Sequence, residues 1–188
     1  YADESIDLTR LYLKDHLGEI EASASHTIGS EAVDFHVRSS ADLPALASAI
    51  LEKDSLHEVV FYEPPEINAD GQYLFGKAVS EDAFVPVRCT GTLHAGRFAS
   101  RGEIIDSLAL NFGLAPEGMY LRDLLLRHKT GTLGLKAMWK KGEGLHYKAL
   151  LQMDANVFMP FANLPQTKEI LKRFEFTDEF VFVGEFLV

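Results

Sequence analysis

Apolar and polar residues alternate strictly along many stretches of this chain of 188 residues. In residues 19–28, for example, Ile20, Ala22 and Ala24 are separated by Glu21 and Ser23. Successive side chains of a β-strand point to opposite faces, so a period of two is typical of a strand with one buried face. Because the pattern returns along the chain, it predicts a mainly β fold with an antiparallel sheet.

Two pairs of alternating segments are joined by short turns and predict β-hairpins. Gly29-Ser30 separates residues 19–28 from a segment in which Val33, Phe35 and Val37 alternate with polar residues. Residues 141–144 separate a second pair, whose apolar positions are Leu133, Leu135, Ala137 and Trp139 before the turn and Leu145, Tyr147, Ala149 and Leu151 after it. Alternation predicts further strands at residues 67–75, 87–95 and 108–114.

Helices are expected to be few and short. Residues 41–53 carry an apolar stripe behind Ser40 or Asp42, either of which can cap a helix, and residues 165–173 begin with a proline that suits a first turn. Residues 100–103 match a capping box and residues 120–128 are rich in leucine, so a helix is an alternative in both regions. We favour strands there, because residues 107–112 alternate cleanly.

The charge balance narrows the range of partners. The chain has 18 Lys and Arg against 28 Asp and Glu, a formal charge of -10 that repels phosphate backbones, so nucleic acid is not an expected partner. A single cysteine, Cys89, excludes an internal disulfide and a cysteine zinc cluster. Four lysines form one basic spot, which we expect to be a solvated face: Lys136, Lys140, Lys141 and Lys148.

Polar residues do not combine into a motif with a chemical mechanism. His26 and His36 could face each other across the first hairpin, but no carboxylate has the spacing of a third ligand, so we predict no metal site. Two carboxylate pairs have the right chemistry for acid and base roles, namely Asp70 with Glu66 and Asp106 with Asp123. Both pairs are explained more simply as acidic residues on the solvent-exposed face of a sheet. We therefore expect neither enzymatic activity nor a cofactor.

The sequence resembles itself at an offset of 113 residues. Corresponding pairs are Leu11 and Leu124, Leu13 and Leu126, Gly18 and Gly131, and Gly71 and Gly184. The middle of the alignment shifts by one residue. Several separated anchors at one offset indicate an internal duplication. We therefore predict a first repeat unit over residues 1–113 and a second, truncated unit over residues 114–188, joined in one continuous sheet.

Both termini are abrupt. The chain opens on Tyr1-Ala2 without an initiator methionine or a signal peptide, and it stops within a predicted strand. No run of about 18 apolar residues is present. We expect a fragment of a longer protein, with any membrane anchor outside this segment.

Several segments are similar to the repeats of the AsmA-like family of bacterial cell-envelope proteins. They are residues 7–14, 18–24, 34–43, 64–71, 91–98, 106–112, 120–124 and 131–133. The resemblance lies in the alternation of apolar and polar residues within strand segments and in the glycines that separate them, and it covers nearly the whole chain.

The resemblance implies an elongated, curved antiparallel sheet, or β-gutter, with apolar side chains on its concave face. It implies a periplasmic segment that transfers phospholipid between membranes or serves outer-membrane biogenesis. Expected partners are phospholipid or another lipid, adjacent repeats of the same chain, and envelope proteins. Candidate groove residues are Ile20, Ala22, Phe35, Val37, Leu133, Leu135, Tyr147 and Leu151.

Two alternatives stay open at this point. The same apolar residues would also serve as an ordinary core beneath the two short helices. The acidic charge and the lack of catalytic motifs also suit a self-contained α+β interaction module, such as an inhibitor or immunity protein.

Overall fold

The computed structural model describes residues 4–16, 18–42, 58–76, 83–154, 157 and 180–186. These residues form twelve strands of one antiparallel sheet. The strands are β1 (Ser5–Asp15), β2 (Gly18–Thr27), β3 (Ala32–Ser39), β4 (Val59–Phe61), β5 (Glu66–Leu74), β6 (Val87–Ala95), β7 (Phe98–Ser100), β8 (Glu103–Ala115), β9 (Gly118–His128), β10 (Gly131–Lys140), β11 (Gly144–Gln152) and β12 (Phe180–Phe186). The prediction of a mainly β, antiparallel fold is confirmed.

The sheet is a meander in which consecutive strands are neighbours. The order is β1-β2-β3-β5-β6-β8-β9-β10-β11-β12. β1 and β12 lie at opposite ends of this path and do not pair with each other, so the described sheet is open. The order of these strands along the chain is therefore their order in the sheet. Each strand contributes its alternate side chains to each of the two faces.

The two strands outside the path, β4 and β7, extend β5 and β6. Ala95 of β6 lies opposite Leu108, and Phe98 of β7 lies opposite Ile105, which is one unbroken register against β8. β6 and β7 are therefore one long strand interrupted at residues 96–97. β4 and β5 are also interrupted, at residues 62–65, where two prolines cannot donate to the ladder and the register against β7 and β6 shifts by one residue.

Both regions with a helical alternative are strands. Arg101 and Gly102 both have positive φ angles, 49° and 85°, as in the type I′ turns that join hairpin strands. They link β7 to β8, so the capping-box residues form a tight turn between strands. Residues 120–128 lie within β9. The predicted helix at residues 165–173 lies outside the described residues, as does the one at 41–53 except for Ala41 and Asp42, which are not helical.

The strand pairs of the two predicted repeat units share their registers. β9 begins 113 residues after the first residue of β1 and ends 113 residues after its last. The pairing of β1 with β2 shifts by one residue between Leu8 and Leu11. The pairing of β9 with β10 shifts at the same place, between Leu121 and Leu124. These registers agree with an internal duplication, while the unit boundaries stay a prediction.

Fully buried apolar side chains gather at one end of the central strands. The cluster consists of Ala95, Phe98, Ile105, Leu151, Met153 and Val157. Val59 and Phe61 of β4 pack against it, so the short strands β4 and β7 close this end of the sheet. No helix in the described part of the chain has the length and hydropathy to cross a membrane.

Candidate functional site

Cross-strand pairing gathers the apolar side chains of β1 to β11 on one face, which we call the apolar face. Residues directly opposite each other in neighbouring strands point to the same side of a sheet. One row consists of Leu11, Ala22, Val37, Ala69, Gly91, Phe112, Leu121, Ala137 and Tyr147. The row on one side of it consists of Leu13, Ile20, Ser39, Ile67, Leu93, Leu110, Leu124, Leu135 and Ala149.

A third row lies on the other side of the first. It consists of Leu8, Ala24, Phe35, Gly71, Cys89, Leu114, Met119, Trp139 and Leu145. Across the three rows, Ser39 is the one side chain that carries oxygen or nitrogen apart from the tyrosine and the tryptophan. The apolar face is therefore continuous across nine neighbouring positions in the sheet.

The opposite face of the sheet is polar and carries cross-strand ion pairs and hydrogen bonds. They join Arg10 to Glu21 at 2.8 Å, Lys14 to Glu19 at 3.3 Å, His36 to Asp70 at 2.7 Å, Gln72 to Asp34 at 2.8 Å and Lys136 to Asp123 at 3.0 Å. These pairs are exposed and contribute little to stability individually. They keep this face hydrated, so the two faces of the sheet differ in chemical character.

All eight predicted groove residues lie on the apolar face. Six are half-buried: Ile20, Ala22, Phe35, Val37, Leu135 and Tyr147. Leu151 is only 5% exposed and belongs to the buried cluster, and Leu133 packs against that cluster. These two side chains hold the closed end of the sheet together. Whether the other six line a groove stays a prediction.

Sequence reasoning missed the central part of this face. Leu93, Leu110, Phe112, Leu121 and Leu124 connect the two groups of predicted residues across β6, β8 and β9. Their alternation is visible in the sequence, but alternation does not reveal which strands are neighbours. The pairing registers supply that information.

The end of the apolar face opposite the buried cluster is covered by an aromatic contact. Phe84 lies in the segment that precedes β6, and its backbone N–H donates to the carbonyl of Pro116 at 2.7 Å. Its ring contacts the indole of Trp139, with ring centroids 4.8 Å apart and planes tilted by 59°. Since Trp139 is three strands away from β6, this segment reaches across the edge of the face.

The two histidines that could have faced each other across the first hairpin do not do so. His26 lies opposite Ile6 and its Nδ1 is 3.0 Å from the carbonyl oxygen of Ala32, whereas His36 lies opposite Ser23 on the polar face. In this register the even-numbered residues of β2 share a face with the odd-numbered residues of β3, as Ala24 and Phe35 do, so His26 and His36 point to opposite faces. No cluster of three His, Cys, Asp or Glu residues suited to a metal ion occurs among the described residues.

The carboxylates considered for acid and base chemistry have structural partners. Asp70 contacts His36, and Asp123 contacts Lys136. In the register of β8 and β9, Asp123 lies opposite Asn111, several residues from Asp106. Neither pair forms a site with a nucleophile. The lysine spot is likewise partly neutralised, because Lys140 contacts Glu143.

Two titratable side chains are buried, those of Cys89 and His128. Cys89 lies on the apolar face at 7% exposure, and burial raises the pKa of its thiol, so the reactive thiolate is disfavoured. His128 is buried beside the core cluster, with Nδ1 2.9 Å from the Thr130 hydroxyl and Nε2 3.7 Å from the Glu103 carboxylate. Its Nε2 makes no hydrogen bond. The His128 ring thus lies between the Thr130 hydroxyl and the Glu103 carboxylate.

Comparison with known proteins yields no relative. No protein-family model, no curated protein and no solved structure matches this chain significantly. The geometry of the apolar face is therefore the basis for a functional proposal.

Proposed function

We propose that the apolar face binds the acyl chains of phospholipids, as part of a bacterial cell-envelope protein of the AsmA-like type that transfers lipid through the periplasm. The observation that carries this proposal is the continuity of three apolar rows across the sheet. The resemblance of the repeats to AsmA-like proteins supports the choice of ligand.

The size of the face suits this ligand. Adjacent strands are about 4.8 Å apart, so nine strand positions extend for roughly 38 Å. This is somewhat more than the thickness of a bilayer hydrocarbon core, which is about 30 Å. Each buried methylene contributes about 0.8 kcal/mol, so acyl chains gain substantial free energy from a face of this length without any specific polar contact.

The segregation of the two faces suits a conduit. Lipid tails require a surface that is apolar along its whole length, because a polar interruption would cost the desolvation of that group. Half-buried leucines, alanines and aromatic rings provide such a surface, while ion pairs on the opposite face stay in water. In this proposal the headgroups stay near the open rim of the sheet.

Trp139 provides a direct test, because it is the only tryptophan of the chain and lies on the apolar face. Phospholipid with brominated acyl chains quenches a tryptophan that is in contact with those chains. We expect quenching in vesicles of phosphatidylethanolamine and phosphatidylglycerol, and recovery of the fluorescence when unbrominated lipid is substituted.

The matched control moves the indole to the other face of the same strand. In the double variant Trp139→Phe, Met138→Trp, the new tryptophan replaces an exposed side chain on the polar face. We expect brominated lipid to quench it much less than Trp139. Equal quenching of both proteins, or of neither, would contradict lipid binding on the apolar face.

A further inference from the structure

β1 has a pairing edge with no neighbouring strand in the part of the chain that the structure describes. It pairs with β2 along its other edge. Four apolar side chains on this strand are well exposed: Ile6 at 65%, Leu8 at 48%, Leu11 at 43% and Leu13 at 54%. Free backbone N–H and C=O groups beside a row of exposed apolar side chains are a template for strand addition.

The equivalent strand β9 shows what fits such an edge. β9 spans the positions 113 residues after those of β1, has its bulge at the same place, and pairs with β10 as β1 pairs with β2. Its other edge is occupied by β8 in antiparallel orientation. There, the apolar side chains of β9 lie opposite those of β8 in the pairs Leu126 and Leu108, Leu124 and Leu110, Leu121 and Phe112, and Met119 and Leu114.

We propose that the outer edge of β1 binds an extended segment of a partner polypeptide as an added antiparallel strand with apolar residues at every second position. The register is that of β8 against β9. Residues equivalent to Leu108, Leu110 and Phe112 lie opposite Leu13, Leu11 and Leu8. Such a strand extends each row of the apolar face by one residue. Its binding does not depend on the lipid proposal.

The polar positions of β1 also suit a strand of the β8 pattern. Arg10 and Lys14 already form ion pairs with Glu21 and Glu19 of β2. In the register of β8 against β9, the residues of the added strand that face Lys14 and Arg10 are the equivalents of Ser107 and Asn111, which are uncharged. The added strand therefore needs apolar residues at alternate positions and no charge at the positions between them.

A synthetic peptide with the β8 sequence, residues 103–115, is the probe. We expect it to bind the whole chain in fluorescence anisotropy, and Leu11→Lys to weaken binding about tenfold or more, since it puts a charge into the apolar row. Met138→Lys is the matched control, because Met138 has 45% exposure on an internal strand away from β1. It should leave binding unchanged.

Disulfide trapping tests the register. In a Cys89→Ala background, Leu8→Cys should crosslink to a peptide with Cys in place of Phe112 several-fold faster than to one with Cys in place of Asn111. Opposed side chains of paired strands have the Cβ separation that a disulfide needs, whereas the next residue points to the other face. The proposal is overturned by absence of peptide binding, by equal crosslinking of both peptides, or by a β1-mediated dimer that excludes the peptide.

Discussion

The ring of Phe84 packs against the indole of Trp139, with 4.8 Å between the ring centroids. The two residues are on segments that are not neighbours in the sheet, and the contact covers one end of the apolar face. At the other end, residues of β6, β7, β8 and β11 and the residues that follow β11 form the buried cluster, and β4 packs against it. The face from the half-buried Trp139 indole to the buried cluster is the part that we propose to bind lipid.

Removing the Phe84 ring should uncover Trp139. We expect Phe84→Ala to increase the quenching of Trp139 fluorescence by acrylamide and to lower the free energy of unfolding by about 1 kcal/mol, the typical contribution of an aromatic pair. Tyr62→Ala, at another exposed aromatic residue, is the control and should leave the quenching unchanged. Unaltered quenching in Phe84→Ala would show that the contact does not shield the indole.

A charge on the apolar face should act differently from the same charge one residue away. We expect Ala137→Asp to lower the free energy of unfolding by about 1–3 kcal/mol and to reduce bound phospholipid in native mass spectrometry, because an unpaired carboxylate is poorly solvated there. Met138→Asp, on the exposed side of the same strand, should change stability by less than about 0.5 kcal/mol. Equal lipid binding by the two folded variants would count against the proposed site.

Gly91 lies where two neighbouring strands leave no room for a side chain. A Cβ atom there would be 2.5 Å from the carbonyl oxygen of Asn68 and 2.6 Å from the Phe112 ring. We expect Gly91→Ala to cost about 1–3 kcal/mol in urea denaturation, as overpacking does. At Gly134 the nearest atom would be the Leu150 Cβ at 3.9 Å, so Gly134→Ala should be neutral or stabilising. A larger loss of stability in Gly134→Ala than in Gly91→Ala would contradict this packing.

Acid should weaken the pairing of β1 with β2. The pKa of Glu19 is below its usual value of 4.5, chiefly because the Tyr12 hydroxyl donates a 2.8 Å hydrogen bond to its carboxylate. The folded protein therefore binds this proton less readily than the unfolded chain, and the contribution to stability is present above pH 4.5 and lost as the pH falls through the lower folded-state value.

The measurement is the urea midpoint between pH 7 and pH 3 for the natural chain and for Tyr12→Phe. We expect the variant to lose less stability over the acid range, because its Glu19 has lost the largest cause of the pKa shift. Asp7, whose pKa is lowered by hydrogen bonds from Ser25 and Ser5, is unaffected by this change and provides the residual acid dependence. An equal loss of stability with falling pH in the two proteins would contradict the assignment of the Glu19 pKa shift to the Tyr12 hydrogen bond.

The open sheet should be visible in small-angle scattering. A compact domain of this length has a radius of gyration of about 16 Å. We expect a larger value, because the strands of the meander lie side by side and the described sheet does not close on itself. A value near 16 Å would indicate that the chain folds over the apolar face and fills it.

The sequence was sufficient for the strands that alternate over several residues and for the face to which their residues belong, but not for the short strands β4 and β7. The hairpin with Leu135 and Tyr147 and the strand with Leu110 and Phe112 were predictable, because alternation is a local property with a period of two. The candidate site was only partly predictable. Leu151 alternates as Tyr147 does, yet it is buried in the core because Phe98, Ile105 and Met153 lie against that end of the sheet.

The sequence by itself determined a mainly β chain with two chemically distinct faces, because each strand follows from the alternation of its own residues. Only the tertiary structure decided that nine apolar positions form a row, that His26 and His36 point apart, and that Phe84 reaches Trp139. Such relationships depend on register and on contacts between residues far apart in the chain. A shift of one residue in a single pair of strands would move the side chains of one strand to the other face, and across the longer connections the register is set by packing of the whole sheet.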